Sequence, residues 1–292
     1  MTHAPQLCLG TVQFGVPYGI TNQVGQVPEV EVRRILDLAA AAGIKLLDTA
    51  QAYGTAETVL GHCWPTDAPR RLISKLAAGA PRQSWEESLN TSLQRLQASK
   101  LDGFLLHRAS DLLAPDGDAL LDWLKGLRDR DLAERIGVSI YDASELEGLP
   151  LDQLQLVQLP LSVYDQRLIS DGTVSRLQDL GIAVHVRSVL LQGLLLQSPR
   201  QWPDHLSPAF RVHHARWLEH MHQEELSPLA GALGFVSACK GVEAVLVGVA
   251  TGQEFAQVLK AWDQAEASPP AAQQVWAWEN AEDIDPRLWS PR

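Results

Sequence analysis

Short apolar runs rich in Leu, Ile and Val alternate along the chain with longer stretches whose apolar residues recur at three- and four-residue spacing. The short runs have the length and composition of buried strands, and the longer ones the period of amphipathic helices. Eight runs qualify: residues 7–12 (LCLGTV), 45–50 (KLLDTA), 71–76 (RLISKL), 101–107 (LDGFLLH), 135–140 (RIGVSI), 154–160 (LQLVQLP), 183–189 (AVHVRSV) and 244–249 (AVLVGV). Repeated β-α units of this number predict an α/β fold, a closed (β/α)8 TIM barrel. The 292 residues suit one barrel domain of about 250 residues with insertions, so residues 1–292 are read as a single domain.

Several helix starts can be read directly. Val32, Ile35, Leu36 and Ala39 recur at helical spacing behind Pro28 and Glu29. Ser84 with Glu87, and Asp142 with Glu145, have capping-box spacing, and Ser227 before Pro228 reads as an N-cap followed by proline at the first helical position. Two segments exceed a minimal unit: residues 190–208, and a tail after about Ser268 that holds Trp276, Trp278 and Trp289. Both are expected to be appended loops over the barrel, where such insertions shape a pocket; the competing expectation is that the tail tryptophans seal its outside or its bottom.

Composition narrows the function classes. A formal charge of -11 without a Lys/Arg cluster argues against nucleic-acid binding. Cys8, Cys63 and Cys239 lie far apart, which indicates neither a zinc spacing nor a disulfide framework and fits a reducing compartment. The amino terminus lacks a leader pattern and no window is apolar enough for a membrane span, so a cytoplasmic protein with no membrane partner is expected, as a monomer or weak dimer. His205, His213, His214, His220 and His222 lack metal-site spacing and are expected to decorate a surface helix; no metal is called. There is no G-x-S-x-G and no P-loop, which disfavours acyl transfer at a nucleophile elbow and P-loop nucleotide hydrolysis.

Ionisable groups appear at the carboxyl ends of consecutive predicted strands: Asp48 and Tyr53 after the second, Lys75 in the third, His107 after the fourth. In a barrel those ends converge on one face, where catalytic residues sit. The set suits carbonyl reduction, in which a proton must reach the oxygen as hydride reaches the carbon. Tyr53 would supply the proton, Lys75 would stabilise the phenolate left behind, Asp48 would hold Lys75, and His107 would orient the substrate oxygen or relay a proton.

With these residues in place the chain resembles the aldo-keto reductase family. The family's D-x-x-x-x-Y-G element appears as Asp48 to Gly54, followed by AETVLG (56–61) for its S-E-x-x-L-G-like element; its catalytic Lys and His fall on Lys75 and His107. IGVSIYDASEL, LVQLPLSVYDQR and VRSVLLQGLLL resemble three later family segments, and the likeness runs from LCLGTVQFG to VLVGVATGQEFAQVL. The resemblance implies a small-molecule carbonyl substrate and NADPH as cofactor, with NADH as the alternative, bound extended across the barrel mouth without a Rossmann fingerprint. It implies that Ser139 and Gln158 contact the nicotinamide carboxamide, that Ser188, Leu190 and Gly193 border the pyrophosphate, and that the segment of Gly248 and Glu254 meets the adenosine end.

Three positions depart from the family pattern. Ile140 stands where Asn is usual, which removes one expected nicotinamide contact. Arg187 takes the place of the aromatic residue that stacks on the nicotinamide; a guanidinium can stack as well and can also reach an anion. Glu254 falls where NADPH-selective members often carry a base; a carboxylate there would repel a 2′-phosphate and accept from ribose hydroxyls. Two other readings stay open: a dinucleotide-binding regulatory or sensor protein on the same barrel, and an isomerase or aldolase with Lys75 as a Schiff base.

Overall fold

The computed structural model describes residues 4–267 and 274–289. Eight parallel strands close into a barrel in sequence order: β1 (Gln6–Gly10), β2 (Leu46–Asp48), β3 (Arg71–Leu76), β4 (Leu101–Leu106), β5 (Ala133–Ser139), β6 (Leu156–Pro160), β7 (Ala183–Arg187) and β8 (Val242–Gly248), with β8 pairing back to β1. Each of the eight predicted runs overlaps one strand, and six of them overshoot the strand's carboxyl end by one or two residues that leave the sheet as loops. Outside run α1 (Glu29–Ala41), α2 (Ala56–Cys63), α3 (Trp85–Leu96), α4 (Gly117–Asp129), α5 (Thr173–Asp179), α6 (Pro208–Gln223), α7 (Pro228–Ser237) and α8 (Gly252–Ala267).

The strands read as continuous apolar runs because both faces are buried, yet alternation still sorts them. Cys8, Leu46, Ile73, Leu105, Leu156, Ala244 and Leu246 form a cluster inside the barrel. Their neighbours Leu9, Leu47, Leu72, Phe104, Leu106, Val157, Val245 and Val247 belong to the larger core under the helices. The inner cluster plugs the barrel at mid-height, so the closed sheet is a packed core with two separate polar ends. At the amino-terminal end Asp102 joins Arg71 (2.6 Å) and Arg135 (2.5 Å), and Arg135 reaches Glu243 (2.6 Å). Burial pushes the Glu243 carboxyl up, but hydrogen bonds from His185 and Arg135 outweigh it and hold it down to about 2.

Two predicted helix starts differ from expectation. Ser84 ends a 3-10 turn (Arg82–Ser84) in near-helical geometry, so its hydroxyl donates back to the Pro81 carbonyl (2.8 Å) instead of capping α3. Asp142 does accept from Ser144 N (3.0 Å), but Glu145 accepts from Tyr141 N (3.0 Å) rather than from Asp142. Only a 3-10 turn follows (Ala143–Leu146), because Gly148 at φ 75 and then Pro150 turn the chain away, and the fifth unit lacks an α-helix. Ser227 caps α7 as read, accepting from Ala230 N (3.1 Å) with Pro228 at N1.

The predicted start of the tail near Ser268 lies outside the described residues. The described part of the tail packs on α6: Trp278 lies against Phe210 (5.2 Å) and His213 (5.0 Å), and Trp276 against His220 (5.4 Å). Asp283, buried, accepts from Ser207 N, Ser207 Oγ, Trp278 Nε1 and Asn280 Nδ2, which pins the tail to the amino end of α6, where a negative charge is favoured by the helix dipole. The histidines of α6 are not surface decoration throughout. His214 is fully buried between Trp202 (4.5 Å) and Trp217 (5.6 Å); its Nε2 meets the Gln197 carbonyl (2.8 Å) and its Nδ1 the Tyr164 hydroxyl (2.6 Å). A carbonyl can only accept, so the proton sits on Nε2 and Tyr164 donates to Nδ1.

Two glycines in helices give opposite expectations. Gly126 in α4 has nothing within 4 Å of an added Cβ, so Gly126→Ala should stabilise by about 0.5–1 kcal/mol. At Gly61 in α2 a Cβ would stand 2.1 Å from the Arg95 carbonyl oxygen, so the same change should separate α2 from α3 and cost about 1–3 kcal/mol. Urea unfolding of both variants checks the pair; equal shifts of one sign would contradict the packing. Burial pushes the His214 pKa down to about 4, below the 6.5 of a free imidazole, with the Gln197 carbonyl acting in the opposite direction. Between these values the unfolded chain binds a proton that the folded protein refuses, so stability should fall as pH drops from about 6.5 toward 4. His214→Gln should flatten that slope in denaturant titrations; a slope equal to the parent's would remove His214 as a contributor.

Candidate active site

A cavity of about 670 Å³ opens at the carboxyl-terminal ends of the strands. Its lining includes Asp48, Tyr53 and His107 and all eight residues assigned to the cofactor: Ser139, Gln158, Arg187, Ser188, Leu190, Gly193, Gly248 and Glu254. Lys75 does not line it. It lies just beneath, 1% exposed, with Nζ 2.6 Å from Asp48 Oδ1 and 2.9 Å from the Thr49 carbonyl. Gln158 Nε2 donates to the other Asp48 oxygen (2.8 Å), so the buried carboxylate is satisfied on both sides. Three strands, β2, β3 and β6, meet in this one constellation.

Tyr53 sits in the loop between β2 and α2, and close backbone contact fixes that loop. A Cβ on Gly15 would lie 1.7 Å from the Tyr53 carbonyl oxygen, and one on Gly54, which has φ 56, would lie 2.4 Å from the Gly15 oxygen. Only glycine at both positions permits this approach. The Lys75 ammonium stands 5.3 Å from the Tyr53 ring centroid, and His107 meets the ring edge-on at 5.8 Å. Among the described residues neither the Tyr53 hydroxyl nor the His107 ring has a hydrogen-bond partner in the protein. Burial, reinforced by the Asp48 charge, pushes the Tyr53 hydroxyl well above its ordinary value, while Arg187 pulls the other way. Burial, with Lys75 and Arg187, holds His107 down to about 4, so its imidazole is neutral at ordinary pH.

The cavity floor bears on whether a nicotinamide dinucleotide fits. Gln158 must turn its NH2 toward Asp48, which leaves Oε1 buried and without a partner. Ser139 is its register neighbour across β5 and β6. An orphan acceptor beside a hydroxyl is what a carboxamide would complete. At the β1–β8 edge Gly10 and Gly248 pair in register, and the absence of a Cβ on Gly248 leaves room for the Gln13 side chain, which lines the cavity. Over the barrel mouth runs a loop with Ser188, Leu191, Gln192 and Gly193 all at positive φ (59, 45, 54 and 92), and such strain is kept where function requires it. These residues fit the group.

The three departures from the family pattern resolve differently. Ile140 is fully buried in the outer core and does not line the cavity; its carbonyl, not its side chain, serves the site by accepting from Arg187 Nη2 (2.8 Å). The Arg187 guanidinium lies 3.8 Å from the Tyr141 ring centroid. Glu254 caps α8: its N–H donates to Thr251 Oγ1 (3.1 Å) and its carboxylate accepts from Ala250 N (2.7 Å). The T-x-x-E spacing of a capping box was present in the sequence and gives Glu254 a structural role beside any contact with ribose. Glu31 of α1 adds a second carboxylate on Gly252 N (2.5 Å), with Arg34 packed alongside.

The sequence reading missed the segment between β1 and α1. Tyr18, Gly19 and residues 21–24 line the cavity, and Thr21 Oγ1 donates to the Gln192 carbonyl (2.9 Å) while Ile20 N donates to Gln192 Oε1 (2.9 Å). A Cβ at Gly193 would fall 2.1 Å from Thr21 Oγ1. The available signal was N-x-x-G: Asn22 folds the loop on itself, accepting from Val24 N and Gly25 N. Tyr141 and Gln192 were missed as well.

The family model described as the Aldo/keto reductase family matches residues 6–275. Among similar proteins, an aldo-keto reductase of Mycolicibacterium vanbaalenii is 30% identical over 190 residues, 60% of this chain and 64% of that protein. One of Mycolicibacterium smegmatis is 32% identical over 137 residues, 43% of this chain and 46% of that protein. The matched stretch therefore spans less than two thirds of either relative. Solved structures with the same fold include an aldo-keto reductase of Bacillus halodurans in its holo form (TM-score 0.72, 20% identity, 94% of each chain). Others are a glycerol dehydrogenase of Gluconobacter oxydans (0.69, 20%, 90% of this chain and 89% of that one) and an aldo-keto reductase of Klebsiella pneumoniae in complex with NADPH (0.66, 19%, 94% and 93%). With a family model that covers nearly its whole length, the chain belongs to the aldo/keto reductase family.

Proposed function

We propose that this protein is an NAD(P)H-dependent oxidoreductase that reduces the carbonyl of a small aldehyde, ketone or sugar to the alcohol, and that the same groups serve the reverse reaction. The observation that carries this reading is the Tyr53 hydroxyl, free of protein partners on a cavity floor beside a neutral imidazole and above a buried ammonium. When bound, the nicotinamide supplies the hydride; all else is the work of side chains. Ser139 and Gln158 Oε1 would hold its carboxamide, and Ser188, Leu190, Gly193 and Gly248 would line the path of the rest.

Tyr53 stays protonated until needed, because burial and Asp48 oppose ionisation in the resting site. As negative charge gathers on the substrate oxygen, the hydroxyl gives up its proton. The phenolate left behind faces Lys75 across its own ring. Asp48, clamped by Gln158, keeps that ammonium in place. His107 is depressed too far to act as an acid near neutral pH and instead donates one hydrogen bond that orients the oxygen. A Schiff-base role for Lys75 is disfavoured: the amine is engaged by Asp48 and the Thr49 carbonyl and does not face the cavity.

Tyr53→Phe should lower kcat by about 100- to 10,000-fold while dinucleotide affinity stays within a few-fold, as read by turnover at the nicotinamide absorbance and by fluorescence titration. Parent-like turnover in this variant would refute the mechanism. For the cofactor we propose NADPH, with NADH as the alternative that the carboxylates Glu254 and Glu31 at the start of α8 favour. Measuring kcat/KM with each decides it: a preference for NADH of about tenfold or more, some 1.4 kcal/mol, would reject the choice of NADPH.

A further inference from the structure

The charged groups that line the cavity are Asp48, His107, Arg187 and Glu254. Asp48 is matched by Lys75, His107 is neutral, and Glu254 is committed to the start of α8. Among the described residues Arg187 is therefore the one permanent cation in the lining, and none of them gives it a carboxylate partner. Its neighbour Arg287 has two, Asp285 (2.7 Å) and Glu145 (3.2 Å). Arg187 lines the same cavity as Tyr53 and His107.

The guanidinium is also held rigidly. Nη2 donates to the Ile140 carbonyl (2.8 Å), and Tyr141 carries Arg187 at 3.8 Å and Arg287, from the tail, at 4.1 Å from its ring centroid. The tail residue thus braces the ring on which the cavity arginine rests. A long side chain is normally costly to immobilise, and a half-buried cation without a counter-charge is unfavourable in a cavity. Both costs are already met here, and what the site lacks is an anion. One cation with a planar fork of remaining donors balances the single charge of a carboxylate, whereas a phosphate monoester, at about −1.5 to −2, would be balanced only in part, since Lys75 is already taken by Asp48.

We propose that Arg187 is the carboxylate-recognition group of this site, braced through Tyr141 by Arg287 as a positioning residue, so that the substrate is an aldehyde or ketone carrying a carboxylate elsewhere in the molecule. The inference rests on the carbonyl-reductase reading. It does not rest on long-range attraction, since the chain as a whole is acidic.

The test compares kcat/KM for succinic and glutaric semialdehyde with that for their methyl esters, and for glycolaldehyde phosphate with that for glycolaldehyde. The ratio of charged to uncharged substrate cancels any effect of a variant on the dinucleotide. The parent should favour at least one acid over its ester by about tenfold or more, through KM. Arg187→Gln should bring that ratio near one, Arg187→Lys should restore part of it, and Arg287→Ala should lower it several-fold through the KM of the acid. Calorimetric binding of succinate, which has no carbonyl, to the dinucleotide-loaded protein is followed in parent and Arg187→Gln. Turnover with a ratio near one in the parent, or an unchanged ratio in Arg187→Gln, overturns the proposal, as does a larger ratio for the phosphate. No turnover of any substrate together with succinate binding that Arg187→Gln abolishes would refute the reductase reading and keep the anion site. No turnover and no binding would refute both.

Discussion

A buried ammonium and carboxylate cannot be left half-made. Removing either Lys75 or Asp48 would strand a charge in the barrel top, at a cost of about 3–5 kcal/mol. The pair at 2.6 Å therefore constrains the strand ends that carry it: β2 and β3 must keep their register, and β6 must bring Gln158 to the second carboxylate oxygen. Thr11 ties the end of β1 to the same place by donating from both N and Oγ1 to the Asp48 carbonyl. Tyr53 is then placed relative to a fixed charge, and the mid-barrel apolar cluster beneath keeps water from relaxing it.

The barrel and the meeting of Asp48, Tyr53, Lys75 and His107 at its carboxyl-terminal end were legible in the sequence for one physical reason. A strand buried on both faces must be continuously apolar, so a charged residue at its end is conspicuous, and closure of the barrel brings such ends together. Asp48, Lys75 and His107 announce themselves in this way. Loop geometry was not legible, because it depends on partners distant in sequence: Thr21 with Gln192, or Tyr141 with Arg287. Glu254 shows a different limit. Its chemistry permits both a ribose contact and a helix cap, and only the backbone path shows that the cap is made. The missing fifth helix was a matter of competition, in which an Asp–Glu cap signal lost to Gly148 and Pro150 a few residues later.

The two polar ends of the barrel differ in how their groups are satisfied, and the difference supports the proposed placing of the chemistry. At the amino-terminal end Arg71, Asp102, Arg135 and Glu243 link one to the next, an arrangement that closes the barrel and, among the described residues there, leaves His185 Nδ1 as the buried side-chain atom without a partner. At the carboxyl-terminal end the Tyr53 hydroxyl, the His107 ring, Gln158 Oε1 and most donors of Arg187 belong to residues that line the cavity and have no partner among the described residues. Folding alone gives no return for such groups, since each unpaired polar atom out of bulk water carries a cost. The proposed function and the proposed anion site account for them together, because a ligand would complete each one: an acceptor and a hydroxyl for an amide, a phenol and an imidazole for one oxygen, a guanidinium for a carboxylate. On that reading the order of these groups around the barrel, from β2 and β4 through β5 and β6 to β7, would orient the ligand atoms before any of them reacts.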